Sequence, residues 1–254
     1  MIALLMRLVA GTALMLLVVV LALLFDGADR IISARMQRRL GPPLLQPFLD
    51  LLKLLGKENM AADGNWAFRV APMIAFSSIV AVIAFMPFGF QPNVLNDYAD
   101  IITIIYLLTL GGVSVLLGAL SSRNTFASMG ASREMVTMIM VEPVLAMTLI
   151  MGVVKVRTMG VDTAIAGVSS GGFGWSVFLM LAVYLMALQA FVARQPFDIS
   201  EAEIEILEGP FIEYSGPNYA LFKYYMMLKQ MFYAALFVMV FVPVAQTGYY
   251  ALNI

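Results

Sequence analysis

Six stretches of the chain are apolar around the whole helical circumference and about the length of a membrane crossing: 2–25, 71–90, 101–120, 135–154, 173–193 and 219–245. A helix rising 1.5 Å per residue needs about 20 such residues to traverse the hydrocarbon. None alternates apolar and polar positions as a membrane barrel strand would, so the pattern predicts helices. The first stretch is too long for the core of a signal peptide. No small-x-small cleavage site follows it in LALLFDGADR, so it reads as a permanent helix with Arg7 snorkelling to the interface.

One further periodic segment is different in kind. In PLLQPFLDLLKLLGKEN, the apolar residues Leu44, Leu45, Phe48, Leu51, Leu52 and Leu55 recur at helical spacing. Asp50, Lys53 and Lys57 fall on the other side. The segment is too short to span. It predicts an amphipathic helix lying on the membrane surface or under a partner, opened after Pro42 and Pro43 and weakened at Gly56. The expected fold is therefore all-α, a multi-pass membrane protein of about six transmembrane helices plus this surface helix. Residues 1–254 form a single integral membrane domain, with no internal repeat and no soluble domain.

Charge orients the spans. The segment 26–70 carries Arg30, Arg35, Arg38, Arg39, Lys53, Lys57 and Arg69; the loop 121–134 carries Arg123 and Arg133; the loop 194–218 carries Arg194. The even-numbered connections carry only Lys155 and Arg157. The positive-inside rule puts loops one, three and five in the cytoplasm and both termini outside, in a cell membrane. Composition agrees: 62% of residues are hydrophobic and 12% charged, which excludes an ordinary soluble domain. The chain has no Cys and no His. That excludes within it a Cys-ligated iron–sulfur cluster, a His- or Cys-ligated haem, an ordinary zinc site, a catalytic thiol and a Ser-His-Asp triad. A net charge of −1 argues against nucleic acid as a partner. Carboxylates, Arg, Lys and Tyr remain, a kit suited to moving protons or ions.

Ionisable residues within spans are costly and are functional candidates by default. Glu142 lies in the fourth span, in MVTMIMVEPVLAMTLIMG, about eight residues or 12 Å from its start. A carboxylate there is either paired or protonated. Pro143 follows it and withholds an N–H, which frees a carbonyl and can admit water beside the acid. Lys229 lies in the sixth span, deeper than Lys223. An ion pair between Lys229 and Glu142 is the structural alternative to a proton path. Tyr224, Tyr225 and Tyr233 read first as packing residues.

The densest signal is RQPFDISEAEIEILEGPFIEYSG, from Arg194 to Gly216. Six acids fall within 16 residues: Asp198, Glu201, Glu203, Glu205, Glu208 and Glu213. On a helix of about 100° per residue, Asp198, Glu201, Glu205 and Glu208 would share a third of the circumference, with Asp198 or Ser200 capping its start. Crowded like charges repel, so some of these acids are expected to hold protons toward neutral pH. Gly209-Pro210 and Gly216-Pro217 predict sharp turns. The spacing lacks the glycine loop of a calcium hand, and no metal site is expected.

This acidic run resembles the signature loop of the quinone-chamber membrane subunit of respiratory complex I and of its relatives in membrane-bound, energy-converting NiFe hydrogenases. ARMQRRLGPPLLQPFLDLLKLLGKE resembles the family's first cytoplasmic loop, and Glu142 matches an acid in its fourth span. The resemblance implies a subunit that anchors a peripheral electron-transfer arm and starts a carboxylate path toward antiporter-like membrane subunits. It implies path roles for Glu142, Asp198, Glu201, Glu203, Glu205 and Glu213, which the residue reading extends to Lys229. It implies arm docking by Arg35, Arg38, Arg39 and Arg194. The wording EGPFIEYSGPNYALFK is closer to the hydrogenase branch, and six spans are fewer than the eight usual in the quinone-linked subunit. The expected assembly is then a ferredoxin-linked, H₂-evolving hydrogenase moving H⁺ or Na⁺. Its iron–sulfur clusters and NiFe centre would lie in the large and small partner subunits, with no cofactor in this chain. The alternative is the quinone-site subunit of a complex I-type oxidoreductase, with Asp198 and the arginines lining a quinone pocket.

Overall fold

A computed structural model describes residues 2–60, 65–86, 100–157, 159–161, 175–193 and 197–241. Over these residues the chain is almost wholly helical: α1 Ile2–Met36, α2 Gln46–Leu55, α3 Trp66–Phe85, α4 Ile101–Ser121, α5 Thr125–Val156, α6 Trp175–Phe191, α7 Glu203–Ile206 and α8 Gly216–Phe241. A 3-10 turn, Gly209–Phe211, separates α7 from α8. Among the described residues the only extended pairing is an isolated bridge between Asp100 and Gly160. Five helices, α1, α3, α4, α5 and α8, are long and apolar enough to cross a membrane. The remaining apolar helix, α6, has 17 residues.

The helices extend past the hydrophobic stretches for local reasons. Asn124 caps α5, its side chain accepting from the Phe126 N–H at 2.8 Å. This starts the helix ten residues ahead of the apolar run and brings Arg133 and Glu134 onto it. Glu142 is therefore near the middle of a 32-residue helix, not eight residues from its start. Helix α1 runs 35 residues, about 52 Å. Its last turns carry Asp26, Asp29, Arg30 and Arg35 beyond the span read from hydropathy.

Helix α2 forms where its periodicity predicts, with Pro47 in the first turn and Gly56 at its C-terminal end. Pro47 and Leu51 are buried, while Phe48, Leu49, Leu52 and Leu55 stay exposed. Arg30 holds it in place: its Nη1 donates to Asp50 at 2.9 Å, and its Nε lies 2.8 Å from the Asp26 carboxylate as an ion pair. Burial pushes the Asp50 carboxyl up, but the hydrogen bonds from Arg30 and Gln46 outweigh this and hold it below the ordinary carboxylate value.

The core is built on α3, which packs against both α4 and α8; α1 and α2 lie against α8, α5 against α4, and α6 against α5 and α8. Ile79, Ile104, Phe222, Leu228, Phe232 and Leu236 are all but sealed. Of the three tyrosines read first as packing groups, Tyr224 also makes a side-chain hydrogen bond to the backbone, while Tyr233 takes one on its own carbonyl. The Tyr224 hydroxyl donates to the Val19 carbonyl at 2.8 Å, and the Tyr233 carbonyl accepts from the Tyr184 hydroxyl at 3.2 Å. Pro72 sits inside α3 and cannot donate to the Phe68 carbonyl one turn earlier. The Tyr214 hydroxyl replaces the missing donor, at 3.1 Å, with its ring stacked 4.0 Å over Phe68.

Candidate functional site

The acidic run does not present a single helical face. Among its described residues only Glu203–Ile206 is α-helical, the residue before it is Ala202, and neither Asp198 nor Ser200 caps it. The backbone reverses instead. Leu207 has φ +59° and Gly209 φ +50°. The Ser200 carbonyl occupies the place a side chain at residue 209 would need. A helix cannot pass through left-handed residues, so the acids separate.

Each acid then has its own surroundings. Glu201 turns inward. Glu205 turns out and pairs with Arg133 Nη1 at 2.6 Å, and Arg133 also donates to the Ile199 carbonyl at 3.3 Å. Glu208 is exposed, and Asp198 is half-buried. Glu213 accepts from the Asn124 side chain at 2.6 Å, tying the loop to the residue that caps α5. The side chain of Glu203 and the whole of Arg194 lie outside the described residues. Arg35, Arg38 and Arg39 are exposed together at the end of α1.

The EYSG end of the run is a set of anchors. Glu213 holds the α5 cap and Tyr214 holds α3. Ser215 accepts from the Met60 N–H at 3.0 Å and donates to its carbonyl at 3.1 Å. Gly216, at φ +55°, lies so close to Glu58 that an added Cβ would meet its carbonyl oxygen at 2.5 Å. Burial pushes the Tyr214 hydroxyl up, so it remains a donor at any physiological pH.

Glu201 faces a cavity of about 30 Å³, room for one or two water molecules. Glu134 of α5 and Lys229, Gln230 and Tyr225 of α8 also line it, with Ser200 and Pro210 from the loop. Lys229 therefore stands among carboxylates from two elements. Glu142 does not line this cavity. Glu142 lies two turns further along α5, half-buried, within the field of the same group. Gln230 extends the cavity's polar rim by donating to Asp29 of α1 at 3.4 Å.

Glu134 escapes the hydropathy reading because it falls one residue outside the fourth apolar stretch. The available signal was its place about two helical turns before Glu142, about 80° round the helix from it. Among the described residues no group of three or more acids is arranged to hold a metal ion. An amine between carboxylates, next to space for water, can exchange protons and shift charge from one acid to another.

The chain matches the NADH dehydrogenase family over residues 9–251. It belongs to that family. Formate hydrogenlyase subunit 4 of Escherichia coli (strain K12) is 31% identical over 88% of this chain and 74% of its own length. Hydrogenase-4 component C of the same organism is 34% identical, over 87% and 70%. An NADH-quinone oxidoreductase subunit of Cytophaga hutchinsonii is 32% identical, over 84% and 70%. Among solved structures, a chain of the membrane-bound sulfane sulfur reductase, an archaeal respiratory membrane complex, superposes with a TM-score of 0.82. It is 26% identical and is matched over 94% of this chain and 79% of its own. The relatives are thus subunits of multi-subunit oxidoreductase complexes. In this member of the NADH dehydrogenase family, the EYSG end of the acidic loop is held against α3, the α5 cap and residues 58–60, and Glu201 lines a cavity shared with Lys229.

Proposed function

We propose that this chain is the membrane-anchor and ion-coupling subunit of a ferredoxin-linked, H₂-evolving NiFe hydrogenase complex. The observation that carries the reading is the water-sized cavity where Glu201 of the acidic loop, Glu134 and Lys229 converge. Electron arrival at a cluster in a docked partner alters the field on Glu201. The proton balance among Glu201, Glu134 and Lys229 shifts in response, and Glu142 takes up the charge deeper in α5. The coupled ion is H⁺ in this scheme, and the antiporter-like membrane subunits complete its path. The large and small hydrogenase-type subunits hold the NiFe centre and the iron–sulfur clusters. Arg35, Arg38 and Arg39 form the docking face for that arm, together with Arg194. Loops one, three and five face the cytoplasm, and both termini face outward across the cell membrane. Glu205 and Glu213 serve as anchors of the loop in this scheme, and Asp198 and Glu203 as secondary proton carriers.

The test is ferredoxin-driven ion translocation by the purified complex in vesicles. Glu142→Gln and Glu201→Gln should each uncouple translocation from H₂ evolution while the complex stays assembled. Normal H⁺ per electron in Glu142→Gln would remove Glu142 from the path; the same result in Glu201→Gln would remove the cavity.

A second reading has one observation in its favour. An apolar groove of about 310 Å³ runs between α5 and the acidic loop, lined by Ser132, Arg133, Val136, Thr137, Met140 and Ile199. That is the size of a small-molecule site, about 300 Å³ or more, and it would suit a quinone. Quinone extracted from the complex, or inhibition by a quinone analogue, with no ferredoxin-driven H₂ evolution, would replace the first reading by this one.

A further inference from the structure

Helix α2 has three sides. On a helix of about 100° per residue, Pro47, Leu51 and Leu54 share the side that packs on the protein. Phe48, Leu49, Leu52 and Leu55 cover about 120° of the remainder, and each is about half exposed. Lys53 and Lys57 run along one edge of that apolar side, about 40° apart, and both are exposed. Lys57 keeps the helical line because Gly56 stays right-handed and the Lys57 N–H still bonds the Leu54 carbonyl at 3.2 Å. The acid beside this ridge, Asp50, is taken by Arg30 and Gln46. Among the described residues neither lysine has an ion-pair partner.

Packing fixes the depth of this helix. Leu51 clusters with Leu23 of α1 and with Ala220 and Met227 of α8. Leu23 belongs to the last turn of the first apolar stretch, and charge begins just beyond it at Asp26. Helix α2 thus lies at the level where hydrocarbon gives way to headgroups. After α2 the chain is tied to the start of α8, with Glu58 against Gly216 and Met60 bonded to Ser215. Helix α3 then opens with Trp66, 74% exposed, and Arg69, exposed one turn later. An exposed Trp beside a basic residue at the end of a span marks a membrane–water boundary. The open side of α2 carries four large apolar side chains and no side-chain hydrogen-bonding group. A protein partner's interface makes about one hydrogen bond per 100–200 Å²; acyl chains need none.

We propose that this side of α2 is a binding site for an anionic phospholipid. The acyl chains lie on Phe48, Leu49, Leu52 and Leu55, and the Lys53 and Lys57 ammonium groups donate to the headgroup phosphate at the edge. The lysine stems follow the apolar side while their charged ends reach outward. A headgroup of net negative charge is favoured over a zwitterionic one, because choline would bring its own cation against the two lysines. Apolar area and charge then act together, as they do for basic amphipathic helices at a bilayer surface. The Arg30 bond to Asp50 sets the roll of the helix, which keeps the lysines on the headgroup side.

The experiment uses the intact complex in nanodiscs of phosphatidylcholine with a minor share of phosphatidylglycerol, one or the other carrying a photoactivatable acyl chain. Lipid adducts on the peptide covering residues 44–57 are read by mass spectrometry. The phosphatidylglycerol-to-phosphatidylcholine adduct ratio is divided by the ratio of the two lipids in the bilayer. It should exceed unity several-fold in the unaltered chain. Lys53→Gln and Lys57→Gln should each lower it roughly two- to fivefold. The double variant, and the unaltered chain at high salt, should bring it close to unity while phosphatidylcholine adducts on α2 remain. Both lysines are exposed, so these variants keep the fold. A ratio of unity in the unaltered chain overturns the site, and so does an undiminished ratio in the double variant. An α2 without lipid adducts, cross-linked through Lys53 to a soluble subunit, also overturns it and assigns this side to protein.

Discussion

Tyr214→Phe probes a hydrogen bond that the fold depends on. The variant keeps the ring stacked on Phe68 and removes only the hydroxyl that serves the Phe68 carbonyl. That carbonyl has no helical donor, because the residue four positions on is Pro72. It is buried, so leaving it without a partner costs about 1–3 kcal/mol. For a chain of this size each kcal/mol is worth about 2–4 °C, so the apparent melting temperature should fall by several degrees. The assay is thermal unfolding of the purified protein in detergent at one fixed scan rate. The decisive comparison is Pro72→Ala, which restores an N–H at position 72. Tyr214→Phe in that background should cost little, because the carbonyl regains its helical bond. The coupling energy between the two substitutions should approach the full cost of Tyr214→Phe. If Tyr214→Phe is equally damaging in the native chain and in the Pro72→Ala background, the orphaned carbonyl is not what the hydroxyl serves.

Two further outcomes follow from the α1–α2 region. Arg38→Glu with Arg39→Glu reverses charge at an exposed site and should weaken co-purification of the peripheral arm as salt is raised; an arm retained at moderate salt refutes docking there. The α1–α2 clasp should depend on acid in one direction. Asp50 titrates below its ordinary value of 3.8, so its contribution is complete above that pH and is lost as pH falls through the lower folded value. Hydrogen exchange in α2 should be unchanged from neutral pH down to about 4 and rise only below it; a rise at about pH 5–6 would mean another group controls the clasp.

The existence and approximate extents of the helices were legible from hydrophobic runs, because a bilayer crossing demands a length of apolar residues whatever their partners. Helix α2 was legible for a related reason: its pattern has helical period but not spanning length. The arrangement of charge was another matter. Whether Glu134 belongs to a loop or a helix turned on the Asn124 cap, whose strength comes from a side-chain hydrogen bond with no hydropathy signature. The acidic run looked like one surface because periodicity assumes a continuous helix. Non-helical backbone at Ala202 delays the helix to Glu203 and left-handed backbone at Leu207 and Gly209 ends it, so Glu201 lines the cavity while Glu205 pairs with Arg133. The meeting of Glu134, Glu201 and Lys229 joins residues from three separate segments, and the match between Pro72 and Tyr214 joins residues far apart in the chain. Local pattern decides which segments are helical and which faces shun water. Which polar groups meet inside is decided only when the helices pack, since it depends on contacts between segments that no single stretch of chain encodes.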